Sequence, residues 1–507
     1  VAWAEAWSSW CPKGHLVLLA LLGAPAVLAG PSPAGPLPAR VVAEMRTHKL
    51  PEADASLYVQ KIGESTPRLT LNATTPRLPA SVIKLLTTAA ALDSLGPTFT
   101  FNTEASATGN LSKGRLSGDL VIKGYGDPEL SRQDLWGLLD ALRRRGVETV
   151  AGDIVLDSSY FSPPEEGRGD FDGKPTAAYN ALPQGLSVNR QLTRVDMEVA
   201  PDRSLRVHTD PPLANIEVRN ELRLVQAPCL RKHHSPTVTV FQEDGRDVIR
   251  LSGPFAAQCE ADQAELLVLD PQRHAAAAVE ALWRDLGGKL EGRVRAGTAP
   301  AGAVLLHEVR SRPLGELVRD INKPSNNLMT RTLLLTLGAK QLGPPGTPAK
   351  GQEAVRRWLA DAGLEFPELT LGNGSGLSRD AAVSAQSLGR LLNYMYHRPT
   401  MPEYLASLSV VGVDGTMRKR LRGSPVKGHA HIKTGTVRGA SGIAGYVLDR
   451  QGDRWIVVAL MNGKTLNTWS AHAVQDALLT WVYQGADGSP APTQGPRDEG
   501  SLARHLR

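Results

Sequence analysis

The sequence predicts an α/β fold: helices packed with an antiparallel sheet, interrupted by a large strand-rich insert. Three observations lead there. Apolar residues recur at helical spacing in 78–95 and again from about Val304 to Tyr396. Short alternating runs separated by Gly, Pro and Asp clusters fill 101–264. The stretch 431–461 reads as three strands in succession, the last two joined by a Gly-containing turn at Arg450–Asp453.

Composition sets the outer bounds. At 507 residues, 41% hydrophobic and 21% charged, the chain is too apolar for disorder and long enough for two or three domains. Its 49 glycines and 36 prolines lack the three-residue period of collagen. A net charge of +6 is spread thinly. It suits an acidic polymer, but without a long Lys/Arg block interleaved with aromatics it excludes nucleic acid as the expected partner.

Near the start, Lys13 and His15 precede an apolar run, Leu16–Leu22, and a small-residue stretch, Gly23–Gly30. That is shorter than the ~20 residues a membrane-spanning helix needs. It reads as a secretory signal, residues 1–29, cut near Ala29. Cys11 lies before the cut, which leaves Cys229 and Cys259. An even pair in an exported chain predicts a disulfide closing a loop of about 30 residues, worth about 3 kcal/mol in the loop-entropy picture. No later segment reaches spanning length, and the polar residues 485–507 read as a disordered tail.

The first helix carries Val82, Leu85, Leu86, Ala89 and Leu92 on its apolar positions and stops at Gly96-Pro97. In the insert, Gly118–Lys123, Gly152–Asp157, Val195–Val199 and Val238–Phe241 read as strands, with helices near Leu135–Arg145 and Ala275–Leu286. Beyond Val304 come helices at Leu314–Ile321, Leu328–Leu337, Ala354–Ala362 and Ser387–Tyr396, the first two broken at Pro324. Strands at His431–Val437, Ser441–Leu448 and Arg454–Met461 follow.

Three short motifs carry chemistry. Ser81-Val-Ile-Lys84 opens the apolar helix, and the i, i+3 spacing puts hydroxyl and amine on one face. Burial there disfavours the charged lysine and makes a neutral amine base available. A free N–H at the helix start suits an oxyanion. Ser325-Asn-Asn327 lies at the joint between two helices, where short polar side chains project into a cleft; as an alternative it caps the Leu328 helix. Lys433-Thr434-Gly435 lies on the first strand of the meander, with Lys433 and Gly435 on one face. Lys433 offers a cation to a substrate carboxylate, and Gly435 lets a substrate backbone come close. Ser424–Lys427 and Ser187–Asn189 repeat the first two patterns, but in a proline-interrupted loop and in the turn-rich insert.

In this order, the three motifs resemble the class C, low-molecular-mass penicillin-binding proteins of the D-alanyl-D-alanine carboxypeptidase/endopeptidase type. Gly124–Pro128, Tyr179–Pro183, Leu317–Lys323, Gly374–Arg379, Val413–Thr416 and His431–Thr436 look like that family too. Pro324, and Asn373 in place of a frequent Asp, depart from it. The resemblance implies a penicilloyl-serine-transferase (β-lactamase-like) domain of residues 38–100 plus 304–484. It also implies an insert of 101–190 plus 265–303 and a nested insert of 191–264. Ser81 would be the acylated nucleophile and Lys84 its base. Ser325 and Asn327 would serve proton transfer and amide binding, while Lys433, Thr434, Gly435 and Thr436 hold the substrate's carboxylate and backbone. The Ser81 and Thr436 amides would form the oxyanion site. Substrates would be peptidoglycan stem peptides in the periplasm, β-lactams would be covalent inhibitors, and no cofactor or metal is needed.

Metal chemistry finds only partial patterns: His307-Glu308 lacks the second zincin histidine, and His233-His234 and His429/His431 read as surface residues. A β-lactamase would share the acylation step, yet no Glu-x-x-Leu-Asn stretch supplies a deacylating carboxylate. A catalytically silent wall-binding protein would have lost one of the three motifs, and none is lost.

Overall fold

The computed structural model describes residues 35–162 and 166–486. The signal reading and nearly all of the tail therefore lie outside the described residues. Among them, no helix is long and apolar enough to cross a membrane.

The three C-terminal strands form as expected, at Ala430–Val437, Ala440–Leu448 and Arg454–Asn462. They belong to a wider antiparallel sheet. Ala55–Lys61 pairs with the last of them, Leu69–Leu71 adds one edge, and the two-residue Ser409–Val410 adds the other. Trp455 to Met461 are all buried because helices cover both faces of the sheet. The side chains divide with period two. Leu57, Val59, Ile443, Val457 and Ala459 pack with the helices Ala39–Thr47 and Thr468–Tyr483. Tyr58, Ala444, Tyr446, Ile456 and Val458 face the helices Lys84–Leu95, Asn327–Leu342 and Ala385–Tyr396. The helix Thr468–Tyr483 follows the last of these strands.

The inserted region builds sheets of its own. A five-stranded sheet has the order Val294–Ala296, Ile154–Asp157, Leu120–Gly124, Asn102–Ala107, Val304–Arg310. The helices Arg132–Arg144 and Pro271–Asp285 pack in the same hydrophobic cluster as its inward residues. Val304–Arg310 is a strand of this sheet, so the long helices expected directly after Val304 begin at Leu314. Two three-stranded sheets, built from Thr193–Val199 to Ala261–Leu266, enclose a separate cluster around Val195, Ile249 and Phe255. Cys229 and Cys259 are joined there, with their Cα atoms 4.8 Å apart.

Candidate active site

Ser81 does not sit in the first turn of an α-helix. Residues Ala80–Ile83 form a 3-10 turn, and the α-helix begins at Lys84. The tighter turn has three residues per revolution, so Ser81 and Lys84 eclipse and their side-chain tips meet. Lys84 Nζ lies 3.0 Å from Ser81 Oγ. Two glycines hold this turn in place. Gly435 and its cross-strand partner Gly442 leave a flat spot on the sheet, on which Ser81 and Val82 rest. A Cβ on Gly435 would come 2.6 Å from the Pro79 carbonyl oxygen and 2.7 Å from the Ser81 nitrogen. On another side Gly376, at φ +81°, would drive a Cβ to 2.0 Å from the Ala80 oxygen. The expectation that Gly435 makes room for a substrate backbone is therefore corrected: the space where its side chain would point is taken by the Ser81 turn. Ala80 itself is at φ 47°, a left-handed conformation that a non-glycine residue adopts only when its surroundings impose it.

Lys84 is fully buried. Besides Ser81, its amine donates to Asn327 Oδ1 at 2.7 Å and to the carbonyl of Ser375. A neutral amine has two N–H groups and one lone pair. Those two acceptors use both N–H groups and leave the lone pair on the Ser81 side. Burial pushes Lys84 well below the ordinary lysine range, and the charge of Lys433 adds to the shift.

Lys433 is fully buried as well, and desolvation brings it down to about 7. Its amine donates to Ser325 Oγ at 2.9 Å and to the Thr434 carbonyl at 2.7 Å. The lysine read as a cation for a substrate carboxylate is thus a buried one, in contact with the Ser325 hydroxyl. Ser325 (φ 64°) forms the sharp joint between the helices Leu314–Asn322 and Asn327–Leu342. The capping alternative falls to its neighbour: Asn326 Oδ1 accepts from Met329 N at 3.0 Å. Neither Ser325 nor Asn327 is thereby spent on the cap: Ser325 meets Lys433 and Asn327 meets Lys84. Beyond its partner Ser409–Val410, the strand edge at 433–437 is unpaired. Thr434 is half-buried and donates to Thr416 Oγ1 at 2.7 Å, while Thr436 is exposed.

All three motifs therefore converge, and Ser81 and Ser325 are only half-buried. The look-alikes stay outside. Ser187 and Asn189 bond within their own turn, to Gln191 and to the Leu192 carbonyl, and Ser424–Lys427 is a surface turn. Among the described residues, no group of three His, Cys, Asp or Glu side chains converges as for a metal. Two contributors escaped the sequence reading, the carbonyls of Ser375 and Tyr179, the latter accepting from Asn327 Nδ2 at 3.0 Å. Backbone atoms carry no residue signature. Only the glycines around Ser375 and the polar turn around Tyr179 pointed to them.

A family model described as the D-Ala-D-Ala carboxypeptidase 3 (S13) family matches residues 38–484. The chain belongs to this family. It is a serine hydrolase of the DD-peptidase class. The D-alanyl-D-alanine carboxypeptidase DacB of Haemophilus influenzae is 27% identical over 425 residues, covering 82% of this chain and 87% of its own. The D-alanyl-D-alanine carboxypeptidase of an Actinomadura species is 30% identical over 431 residues, 82% of this chain and 78% of its own. Among solved structures, penicillin binding protein 4 (dacB) from H. influenzae superposes with a TM-score of 0.73 at 26% identity, over 87% of this chain and 99% of that one.

Proposed function

We propose that Ser81 is the acylated nucleophile of a periplasmic DD-peptidase that cleaves the bond between two D-alanines of a peptidoglycan stem peptide, and D-amino-acid cross-links of the same chemistry. The observation that carries this reading is the buried Lys84 amine, with two oxygens accepting its N–H groups and Ser81 Oγ at 3.0 Å.

In the acylation step Ser81 Oγ attacks the carbonyl carbon and its proton passes to Lys84 Nζ. The oxyanion that forms takes hydrogen bonds from the Ser81 and Thr436 amides. On collapse the C–N bond breaks, and the leaving amine takes a proton from Ser325 Oγ, which Lys433 replaces. Deacylation runs the same relay backwards. Water gives its proton through Ser325 to Lys433 and attacks the ester, and Lys84 returns its proton to Ser81. The cycle needs Lys84 neutral and Lys433 charged at the outset. Asn327 and the edge at Thr434–Thr436 hold the substrate's amide, backbone and terminal carboxylate.

A penicillin presents the same acyl group on a ring that keeps its leaving nitrogen attached, so it labels Ser81 and leaves slowly. Fluorescent penicillin labels the wild type, Ser81→Ala stays dark, and Lys84→Ala releases no D-alanine from a stem-peptide mimic. Labelling that persists in Ser81→Ala removes the assignment. An adduct that hydrolyses faster than the peptide turns over favours a β-lactamase instead.

A further inference from the structure

The loop 166–180 of the inserted region lies against the helix that carries Asn327, and the chemistry assigned above does not use it. It is tied down at several points. Glu166 forms an ion pair with Arg331, whose side chain is only 4% exposed and sits one helical turn beyond Asn327. Arg379, from the loop that supplies the Ser375 carbonyl, stacks its guanidinium 4.6 Å from the centre of the Phe171 ring. Arg168 donates to the Leu269 carbonyl at 2.8 Å. Inside the loop, Asp172 accepts from the Tyr179 hydroxyl at 2.6 Å and from Asn180 Nδ2 at 2.9 Å, which folds its last turn. The product of this bracing is one backbone carbonyl, that of Tyr179, placed 3.0 Å from Asn327 Nδ2.

An asparagine amide has a donor end and an acceptor end, and here the orientation matters. With Nδ2 held by Tyr179, Oδ1 is turned to Lys84. Reversed, the amide would point N–H at Lys84 and compete with the Ser81 hydroxyl for the amine's lone pair. These two contacts fix the choice, since Asn327 makes no other side-chain hydrogen bond among the described residues.

We propose that the Glu166–Arg331 ion pair is a positioning device: it seats the 166–180 loop so that the Tyr179 carbonyl holds the Asn327 amide with its oxygen toward Lys84. The inference deepens the reading of Lys84 as base and rests on it. Glu166 and Arg331 touch no substrate and act through Asn327.

The test is the pH dependence of the acylation rate of the full chain by fluorescent penicillin, with thermal unfolding followed in parallel. Around Lys84 the charged group is Lys433; Ser81, Asn327 and the Ser375 carbonyl are neutral. An amide oxygen on Lys84 favours its protonated form and an N–H disfavours it. Freeing the amide therefore moves the acid limb down in pH by about one unit, a tenfold change in the proton equilibrium, while acylation slows. Glu166→Ala leaves Arg331 buried without its counter-charge, so the double variant Glu166→Ala/Arg331→Met removes the pair without that penalty. Both variants show the shifted limb, and Glu166→Asp, which keeps the pair, does not. A folded double variant whose acid limb matches the wild type overturns the inference, whatever its melting temperature. Failure of the underlying reading looks different: the wild type itself is then unlabelled, or Ser81→Ala labels.

Discussion

Two buried lysines set the proposed chemistry at the level of single residues. In the proposed relay, acylation needs Lys84 without its proton and Lys433 with one. Lys84 is held well below the lysine range, and Lys433 at about 7. The rate at low penicillin concentration is therefore bell-shaped in pH: it falls on the acid side as Lys84 gains a proton and on the basic side as Lys433 loses one near pH 7. A bound carboxylate favours charged Lys433, so the basic limb measured at saturating peptide lies at higher pH than the limb of the free enzyme. A flat profile from pH 5 to 9 contradicts the relay. Stability follows with its own sign. Between about pH 7 and the ordinary lysine value of 10.5 the unfolded chain holds a proton on Lys433 that the folded chain has released, so stability rises with pH across that window, and the lowering of Lys84 acts in the same direction. In Lys433→Met that rise is smaller, as chemical denaturation at pH 7 and pH 9.5 would record. The side chains of the proposed relay stand out in the sequence because Ser, Lys and Asn advertise their chemistry by type and spacing. Gly435 was legible as a glycine but not for its reason, since no pattern along the strand reveals that the Ser81 turn comes down upon it. Gly435→Ala accordingly displaces the nucleophile, with an overpacking cost of about 1–3 kcal/mol. Penicillin labelling falls at least tenfold while the sheet persists by circular dichroism.

Among the elements, the bounds of the helices that were foreseen moved by only a few residues. The Leu328–Leu337 reading became Asn327–Leu342, and the small extension at its start matters most. Asn326 caps the helix, which places Asn327 in its first turn rather than in the loop. The Ser81 turn was read as α-helical because i, i+3 spacing fits both helix types; only its backbone distinguishes the 3-10 form. The helix Thr468–Tyr483, which follows the last strand, was missed. A cap has a local consequence here. Asn326→Ala costs about 1 kcal/mol of stability by the usual scale of an N-cap. Because the cap sets the turn that aims Asn327 at Lys84, the acylation rate falls by more than the loss of folded protein explains. Titrating active sites with penicillin separates the two effects, and an unchanged rate per folded molecule refutes the coupling.

Across the whole molecule, the parts farthest apart in sequence make the site. Ala55–Lys61 pairs with Arg454–Asn462, and Lys84 meets Asn327 and the Ser375 carbonyl. Such partners leave no local trace, which is why the strand Ala55–Lys61 was not seen while the meander was. The cluster around Val195, Ile249 and Phe255 shares no residue with the one that packs Leu85, Leu86 and Leu334 beneath the site. Its disulfide closes a loop of 30 residues, and the bond acts on that region's unfolded chain rather than on the cleft. Cys229→Ser/Cys259→Ser therefore loses about 3 kcal/mol of stability, and the loss falls on the sheets between Thr193 and Leu266. Hydrogen exchange quickens there first, while the rate at which penicillin acylates Ser81 stays within a factor of about two, as expected for independent sites. If the variant acylates markedly more slowly at a temperature where both forms are folded, the two clusters are coupled, and the inserted region takes part in positioning Ser81.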